Sequence, residues 1–136
     1  MISIAGAVLV STTGNLLLQR RDDNPAIFSP NMISIFGGSA EEGEDNLHDV
    51  AMREIEEETG LSLPKEAYLS LVNFKNSYPD GRKIHASFYL LKDIRKDDLV
   101  ITEGILIEIP ISDVGKFMHE MVPTTCFAIS VYLQSL

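Results

Sequence analysis

Apolar runs separated by turn residues dominate the chain, and most of them predict strands rather than helices. Ile2 to Val10 and Leu16 to Arg20 flank the turn-forming segment Ser11 to Asn15, which is typical of a β-hairpin. A further short strand is expected from Met32 to Phe36, where Gly37-Gly38 stops it. The N-terminal third of the chain is therefore predicted to form strands.

One strong helix is expected in the middle of the chain. Asp45 or Asn46 can cap its N-terminus after a polar loop. Gly60 ends the helix after Thr59, and Pro64 prevents its continuation. Two capping signals of opposite kind therefore define this element from sequence alone.

The rest of the chain returns to strands and then to helices. Turn residues at Tyr78 to Gly81 separate two extended segments, and apolar runs follow. The expected strands are Tyr68 to Asn76, Lys83 to Leu91 and Ile105 to Ile109, and the expected short helices are Ile111 to Met118 and Thr124 to Leu133. This order predicts an α+β fold in one domain over residues 1–136, with a mixed sheet and helices on its faces.

Charge narrows the classes of partner. The 136 residues carry a net charge of -9, which disfavours sequence-independent binding to nucleic acid or to an anionic membrane. Cys126 is the only cysteine, so no intramolecular disulfide can form, and the three histidines are scattered. A reducing cytoplasm is the expected compartment.

The negative charge is concentrated between Glu41 and Glu58, a window that carries -8 of the total. On the predicted helix Glu54, Glu57 and Glu58 share one face, and the stripe expected to be buried consists of His48, Ala51, Met52 and Ile55. Three like charges within about one turn repel unless a cation binds them. Carboxylates without His or Cys favour Mg²⁺, Mn²⁺ or Ca²⁺, and Mg²⁺ points to a phosphoryl substrate.

These residues carry a family resemblance. Gly38 to Glu44 and Arg53 to Leu61 resemble the Nudix box, G-x5-E-x7-R-E-U-x-E-E-x-G-U, where U is aliphatic. Eight residues rather than seven separate Glu44 from Arg53, so either Glu44 or Asp45 fills the acidic position of the box. The resemblance implies the Nudix fold, with a mixed sheet between helices in an α/β/α sandwich, and a box at about residues 38–61.

The resemblance also implies an activity and a site. The activity is hydrolysis of a nucleoside diphosphate linked to another moiety, with Mg²⁺ or Mn²⁺ as cofactor. Glu54, Glu57 and Glu58 are implied metal ligands, Glu54 a possible base, and Arg53 an orienting residue. The Gly38 carbonyl and Glu103 are implied as further ligands, with Glu103 as an alternative base and Glu108 as a weaker substitute for it.

Substrate contacts and identity are less defined. Arg20, Arg21 and the Gly37-Gly38 pair are candidate phosphate contacts, and Thr124 and Thr125 either cap a helix or line a nucleoside pocket. Packing is favoured over nucleobase stacking for Phe28, Phe74 and Tyr78. The expected substrate is a small nucleotide, with a nucleoside triphosphate or nucleotide sugar favoured, and the protein is expected to be a monomer or homodimer. The alternative is a Nudix-fold sensor that binds a nucleotide derivative without turnover.

Overall fold

The strands and helices of this chain are taken from a computed structural model that describes residues 1–27, 29–77 and 79–136. Within those ranges the strands are β1 (Ile2–Ser11), β2 (Leu16–Arg20), β3 (Ile33–Ser34), β4 (Phe36–Ser39), β5 (Leu69–Ser77), β6 (Lys83–Ile94) and β7 (Ile105–Ile109). The α-helices are α1 (Leu47–Thr59) and α2 (Pro123–Gln134). Short 3₁₀ turns occupy Lys65–Ala67, Lys96–Asp98, Ile111–Lys116 and Met118–Glu120.

β1 is the central strand of one mixed sheet. β6 runs parallel to it along one edge, with Ile2 opposite Ile84, and β5 continues the sheet antiparallel to β6. The other edge of β1 is shared, since β2 pairs with it around Leu9 and β4 pairs with it at residues 4–7. β1 and β2 therefore diverge, and the segment from β3 to β4 crosses between them because β3 pairs with β2. β7 covers the outer edge of β2.

A helix covers each face of the sheet. On one face, α1 buries its apolar side chains against alternate residues of the central strands, including Ala7, Leu9 and Leu17. On the other face, α2 packs through Ala128 and Ile129 against the intervening residues of the same strands. The alternation of strand side chains thus supplies two separate cores, and the α/β/α sandwich expected from the sequence is confirmed.

Local sequence sets the limits of α1. The Asn46 side chain accepts a hydrogen bond from the backbone N–H of Asp49, so Asn46 rather than Asp45 is the N-cap. At the other end, Gly60 adopts φ 75°, a left-handed conformation that favours glycine, and its N–H donates to the Glu56 carbonyl. Both predicted ends of this helix are confirmed.

Two elements differ from the sequence prediction. The single strand expected from Met32 to Phe36 is divided at Ile35 into β3 and β4, and β4 continues through Gly37 and Gly38 to Ser39 because β1 accepts a partner strand that has no side chains at this place. The segment from Ile111 to Met118 forms 3₁₀ turns instead of a short α-helix. Among the described residues, no helix is long and apolar enough to cross a membrane.

Candidate functional site

The site begins with a floor of glycine under α1. β4 passes so close to β1 that a Cβ at Gly37 would lie 2.4 Å from the Ala5 carbonyl oxygen. A Cβ at Gly38 would lie 2.7 Å from the carboxylate carbon of Glu54. Because neither residue has a side chain, the sheet leaves space beneath the C-terminal half of α1. Two carboxylates occupy that space.

Glu58 is the more buried of these carboxylates. Its Oε1 accepts a hydrogen bond of 3.1 Å from the backbone N–H of Gly37. Burial raises the pKa of Glu58 to about 8, and the nearby charge of Glu54 contributes in the same direction against the Gly37 hydrogen bond. Without a bound cation, this shift favours the protonated form of Glu58.

Glu54 shares the pocket with Glu58. Burial raises the pKa of Glu54, and the adjacent Arg53 guanidinium opposes that shift. The charge of Glu54 is close enough to raise the pKa of Glu58, so the two carboxyl groups interact directly. Both pKa values are raised, which means that each group favours its protonated form more than a free glutamate does.

The sheet-facing side of α1 is wider than the predicted stripe. Leu47 and Val50 are buried together with Ala51 and Ile55, whereas His48 and Met52 are only partly buried. In angular position, Glu54 and Glu58 fall within this buried arc rather than on a solvent face. The apolar half of the arc packs on the sheet, and the carboxylate half lies over the glycine floor.

Arg53 holds the acidic residues in place from the side. Its guanidinium binds both carboxylate oxygens of Glu44, at 2.7 and 2.9 Å, and donates at 3.1 Å to Glu54 and to Glu57. This fork geometry lowers the pKa of Glu44. Asp45 is exposed, so the structure places Glu44 rather than Asp45 beside Arg53 despite the extra residue.

Oxygen donors of this kind suit a hard divalent cation. The Glu57 side chain is 57% exposed and turns towards Arg53, and no three His, Cys, Asp or Glu side chains in the described ranges converge as a preformed metal site. The donor set nevertheless fits Mg²⁺ or Mn²⁺, because it is made of carboxylates, and the raised pKa values of Glu54 and Glu58 show that added positive charge is favoured there. Loading would require Glu57 to exchange Arg53 for the cation.

Glu103 lies at the end of this cluster. Thr102 attaches its loop to α1, since the Thr102 N–H and hydroxyl donate to the carbonyls of Glu58 and Glu57 at 3.3 and 3.2 Å. The negative charge of Glu103 is close enough to raise the pKa of Glu58. Glu108 lies elsewhere, bound to Asn15 and Lys96, so the weaker of the two late acidic candidates is not at the site.

The two candidate arginines, at the end of β2 and directly after it, diverge. Arg20 forms an ion pair of 3.0 Å with Glu120 and donates to the Asn31 carbonyl, away from the carboxylates of α1. Arg21 lines two clefts, one with Gly37 and Gly38 and one with Glu103. Arg21 is therefore the arginine of this pair nearer the predicted site.

The first of these clefts has a volume of about 160 Å³ and begins at the glycine floor. Thr124 and Thr125 line it, but neither caps α2, whose N-cap is Val122. The Thr125 hydroxyl oxygen instead accepts a hydrogen bond from the Ile35 N–H at 3.0 Å. This arrangement agrees with a lining role for the two threonines.

Of the three aromatic candidates, the structure describes only Phe74, which does not line this cleft. Phe74 packs edge-on against Phe127 and tilts against Phe88, so it serves packing as expected. Phe28 and Tyr78 lie outside the described residues. Sequence reasoning missed Gln19 and Ser34, two buried polar residues on β2 and β3. The sequence does contain one indication of a buried polar residue, since Gln19 directly follows the apolar run Leu16-Leu17-Leu18.

Comparison with known proteins gives a family and a fold. The NUDIX domain model matches residues 2–109 of the chain. No curated protein sequence matches it significantly. Many solved structures do match, all of those described here at less than 25% identity.

Three of these structures illustrate the similarity. The NUDIX domain of Shewanella oneidensis NrtR complexed with ADP ribose is 17% identical with a TM-score of 0.75, and the alignment covers 99% of this chain and 88% of that one. The MutT protein from Methanosarcina mazei Go1 is 18% identical with a TM-score of 0.74 and coverages of 98% and 94%. A bifunctional NMN adenylyltransferase/ADP ribose pyrophosphatase from Francisella tularensis, complexed with AMP and a Mn ion, is 18% identical with a TM-score of 0.70; the alignment covers 98% of this chain but 41% of that one.

Proposed function

This chain belongs to the Nudix family, and we propose that it is a divalent-metal-dependent pyrophosphohydrolase acting on a nucleoside diphosphate linked to another moiety. The observation that carries the proposal is the pair of half-buried carboxylates, Glu54 and Glu58, on a floor of glycine beside an open cleft. A fold that had no use for a cation would place apolar side chains here, because burying two carboxylates together is costly.

We assign the metal to the oxygen donors of this cluster. Glu54, Glu57 and Glu58 would hold it, with the Gly38 carbonyl and Glu103 as further ligands. When bound, Mg²⁺ or Mn²⁺ neutralises phosphate oxygens and lowers the pKa of the attacking water. The Gly37 N–H keeps Glu58 in position for this role, since it already holds one oxygen of that carboxylate.

The remaining residues position the carboxylates and deprotonate the attacking water. Arg53 orients Glu54 and Glu57 through its hydrogen bonds, and Glu44 holds Arg53 by both carboxylate oxygens. Glu54 or Glu103 accepts the proton of the attacking water. Arg21, between the two clefts, is the side chain placed to contact a substrate phosphate, and Arg20 is held by Glu120.

The cleft supports a small nucleotide substrate. It joins the Gly37-Gly38 backbone to Thr124 and Thr125, so a phosphate chain at the glycines would direct a nucleoside towards the start of α2. Nucleoside triphosphates and nucleotide sugars are the favoured substrates. ADP-ribose joins them in the panel, because it is the ligand of the Shewanella NUDIX domain and a substrate named for the Francisella enzyme.

One observation favours a second function. Glu57 is bound to Arg53 and the three carboxylates do not converge among the described residues, which is the arrangement expected of a Nudix-fold sensor that binds a nucleotide derivative without turnover. The enzyme accounts better for the half-buried Glu54 and Glu58, since a sensor has no need to retain them.

Turnover separates the two functions. We expect the purified protein with excess Mg²⁺ or Mn²⁺ to release nucleoside monophosphate from at least one compound of the panel. Glu57→Gln should abolish the release, whereas Glu56→Gln, an exposed acid one position earlier on α1, should leave it unchanged. Binding without turnover across the panel would establish the sensor instead.

A further inference from the structure

Gln19 is a buried polar residue that the sequence patterns do not explain. It is the fourth residue of β2 and is 5% exposed. Its Nε2 donates to the backbone carbonyl of Glu103 at 2.7 Å. A carbonyl can only accept, so this contact fixes the orientation of the amide. Its Oε1 therefore faces Ser34, whose hydroxyl donates to it at 3.4 Å.

The segment that Gln19 holds is the loop carrying Glu103. This loop ends where β7 begins at Ile105, and β7 pairs with β2 in a register that places Leu106 opposite Gln19. Gly104 has φ 66°, and a Cβ there would meet the Arg20 carbonyl oxygen at 2.3 Å and the Gln19 Cγ at 3.2 Å. The loop therefore lies directly against β2 on a contact surface that includes the Gln19 stem.

The opposite side of the loop is attached to α1. Thr102 donates from its N–H and hydroxyl to the carbonyls of Glu58 and Glu57. These contacts are 3.2 to 3.3 Å long, whereas the Gln19 contact is 2.7 Å long and partly buried. The Glu103 backbone is thus fixed mainly from the strand side.

We propose that Gln19 is a positioning residue that holds the Glu103 loop against β2, so that the Glu103 carboxylate faces Glu54 and Glu58. Ser34 orients the Gln19 amide, because its hydroxyl donates a hydrogen bond to the amide oxygen. The amide N–H group then points to the Glu103 carbonyl. Ser34 also lines the 160 Å³ cleft. Two hydrogen bonds, from Ser34 to Gln19 and from Gln19 to Glu103, therefore connect the wall of this cleft to the loop. The inference rests on the proposed hydrolytic function and adds a residue outside the box to it.

Gln19→Met tests the proposal, because methionine keeps the length and burial of the side chain and removes the donor. We expect kcat to fall on the order of tenfold to a hundredfold with KM within about twofold of the wild type. In a Glu103→Gln background the same substitution should have no further effect on kcat, because Gln19 acts through Glu103. Ile94→Val, a buried change at the far end of β6, controls for lost stability.

A second readout does not need turnover. Amide hydrogen exchange of a peptide covering residues 100–106, measured without metal, should be faster in Gln19→Met and unchanged in Ile94→Val. Unchanged exchange, or equal kcat losses in the wild-type and Glu103→Gln backgrounds, would overturn the proposal. Absence of turnover in the wild-type protein would instead reject the proposed hydrolase, and the exchange result would still decide whether Gln19 holds the loop.

Discussion

Replacing Glu58 by glutamine should make the metal-free protein more stable. In the folded chain the pKa of Glu58 is raised to about 8 by burial and by Glu54, against an ordinary value of 4.5. Glutamine reproduces the protonated form, since its oxygen can accept from the Gly37 N–H and its amide can donate to Glu54. The variant therefore keeps the contacts of the native carboxyl group, but its residue 58 side chain no longer gains or loses a proton as the pH changes.

The sign and size follow from proton linkage. Below pH 4.5 both folded and unfolded chains carry the proton, so the stabilisation from the raised pKa is fully present. Between pH 4.5 and 8 the unfolded chain releases it and the folded chain keeps it, so stability falls as pH rises, by up to about 1.4 kcal/mol per pH unit. The ceiling at pH 8 is about 5 kcal/mol, and each kcal/mol corresponds to about 4 °C in Tm for a chain of this size.

The assay is thermal unfolding in EDTA and in Mg²⁺ or Mn²⁺ at pH 5, 6, 7 and 8. The metal-free Tm of Glu58→Gln should exceed that of the wild type by a margin that grows with pH. Added metal should raise the wild-type Tm, most strongly at pH 8, and should have a smaller effect on Glu58→Gln and Glu57→Gln. Glu56→Gln, on the exposed side of α1, should follow the wild type. A margin independent of pH, or a wild-type Tm indifferent to both ions, would refute the reasoning.

Other contacts of the site give further expectations. Glu44→Gln should lower kcat on the order of tenfold by loosening Arg53, whereas Asp45→Asn should match the wild type; the reverse result in steady-state kinetics would reassign the acidic position of the box. Gly38→Ala should displace Glu54 and cost on the order of a hundredfold in kcat with the fold retained by circular dichroism, while Gly115→Ala, where a Cβ meets open space, should cost nothing. Thr125→Val leaves a buried N–H without its acceptor and should lower the free energy of unfolding in urea by about 1–3 kcal/mol; an unchanged value would contradict the assigned contact.

Features encoded by short segments could be predicted from the sequence. The limits of α1 depend on Asn46 and Gly60, which act within a few residues of themselves. Helical periodicity places Glu54, Glu57 and Glu58 on neighbouring positions of α1, but it does not show that the Glu57 side chain turns to Arg53. The hairpin of β1 and β2 depends on the turn that joins them, and it forms as expected.

Features that depend on distant strands could not be predicted in this way. Periodicity treats Glu58 as a polar residue, and only the approach of β4 to β1 reveals that Gly37 provides a buried place for it. The separation of Arg20 from Arg21 depends on the end of β2, because Arg20 is its last residue and Arg21 already belongs to the loop that lines the clefts. Gln19 precedes the Nudix box and Glu103 follows it, so their contact joins residues far apart in the sequence and no local pattern predicts it.

The parallel pairing of β1 with β6 has a consequence for folding during translation. Paired residues of the two strands, such as Ile2 and Ile84, are 82 positions apart in the sequence. β1 therefore leaves the ribosome long before β6 is synthesised. The edge of β1 that pairs with β6 then stays open, although β2 and β4 can already cover the other edge, and an open edge of a largely apolar strand is exposed to chaperones and to aggregation. Slower translation before β6 has left the ribosome should lower the soluble yield of this chain, while pauses after β6 has emerged should not.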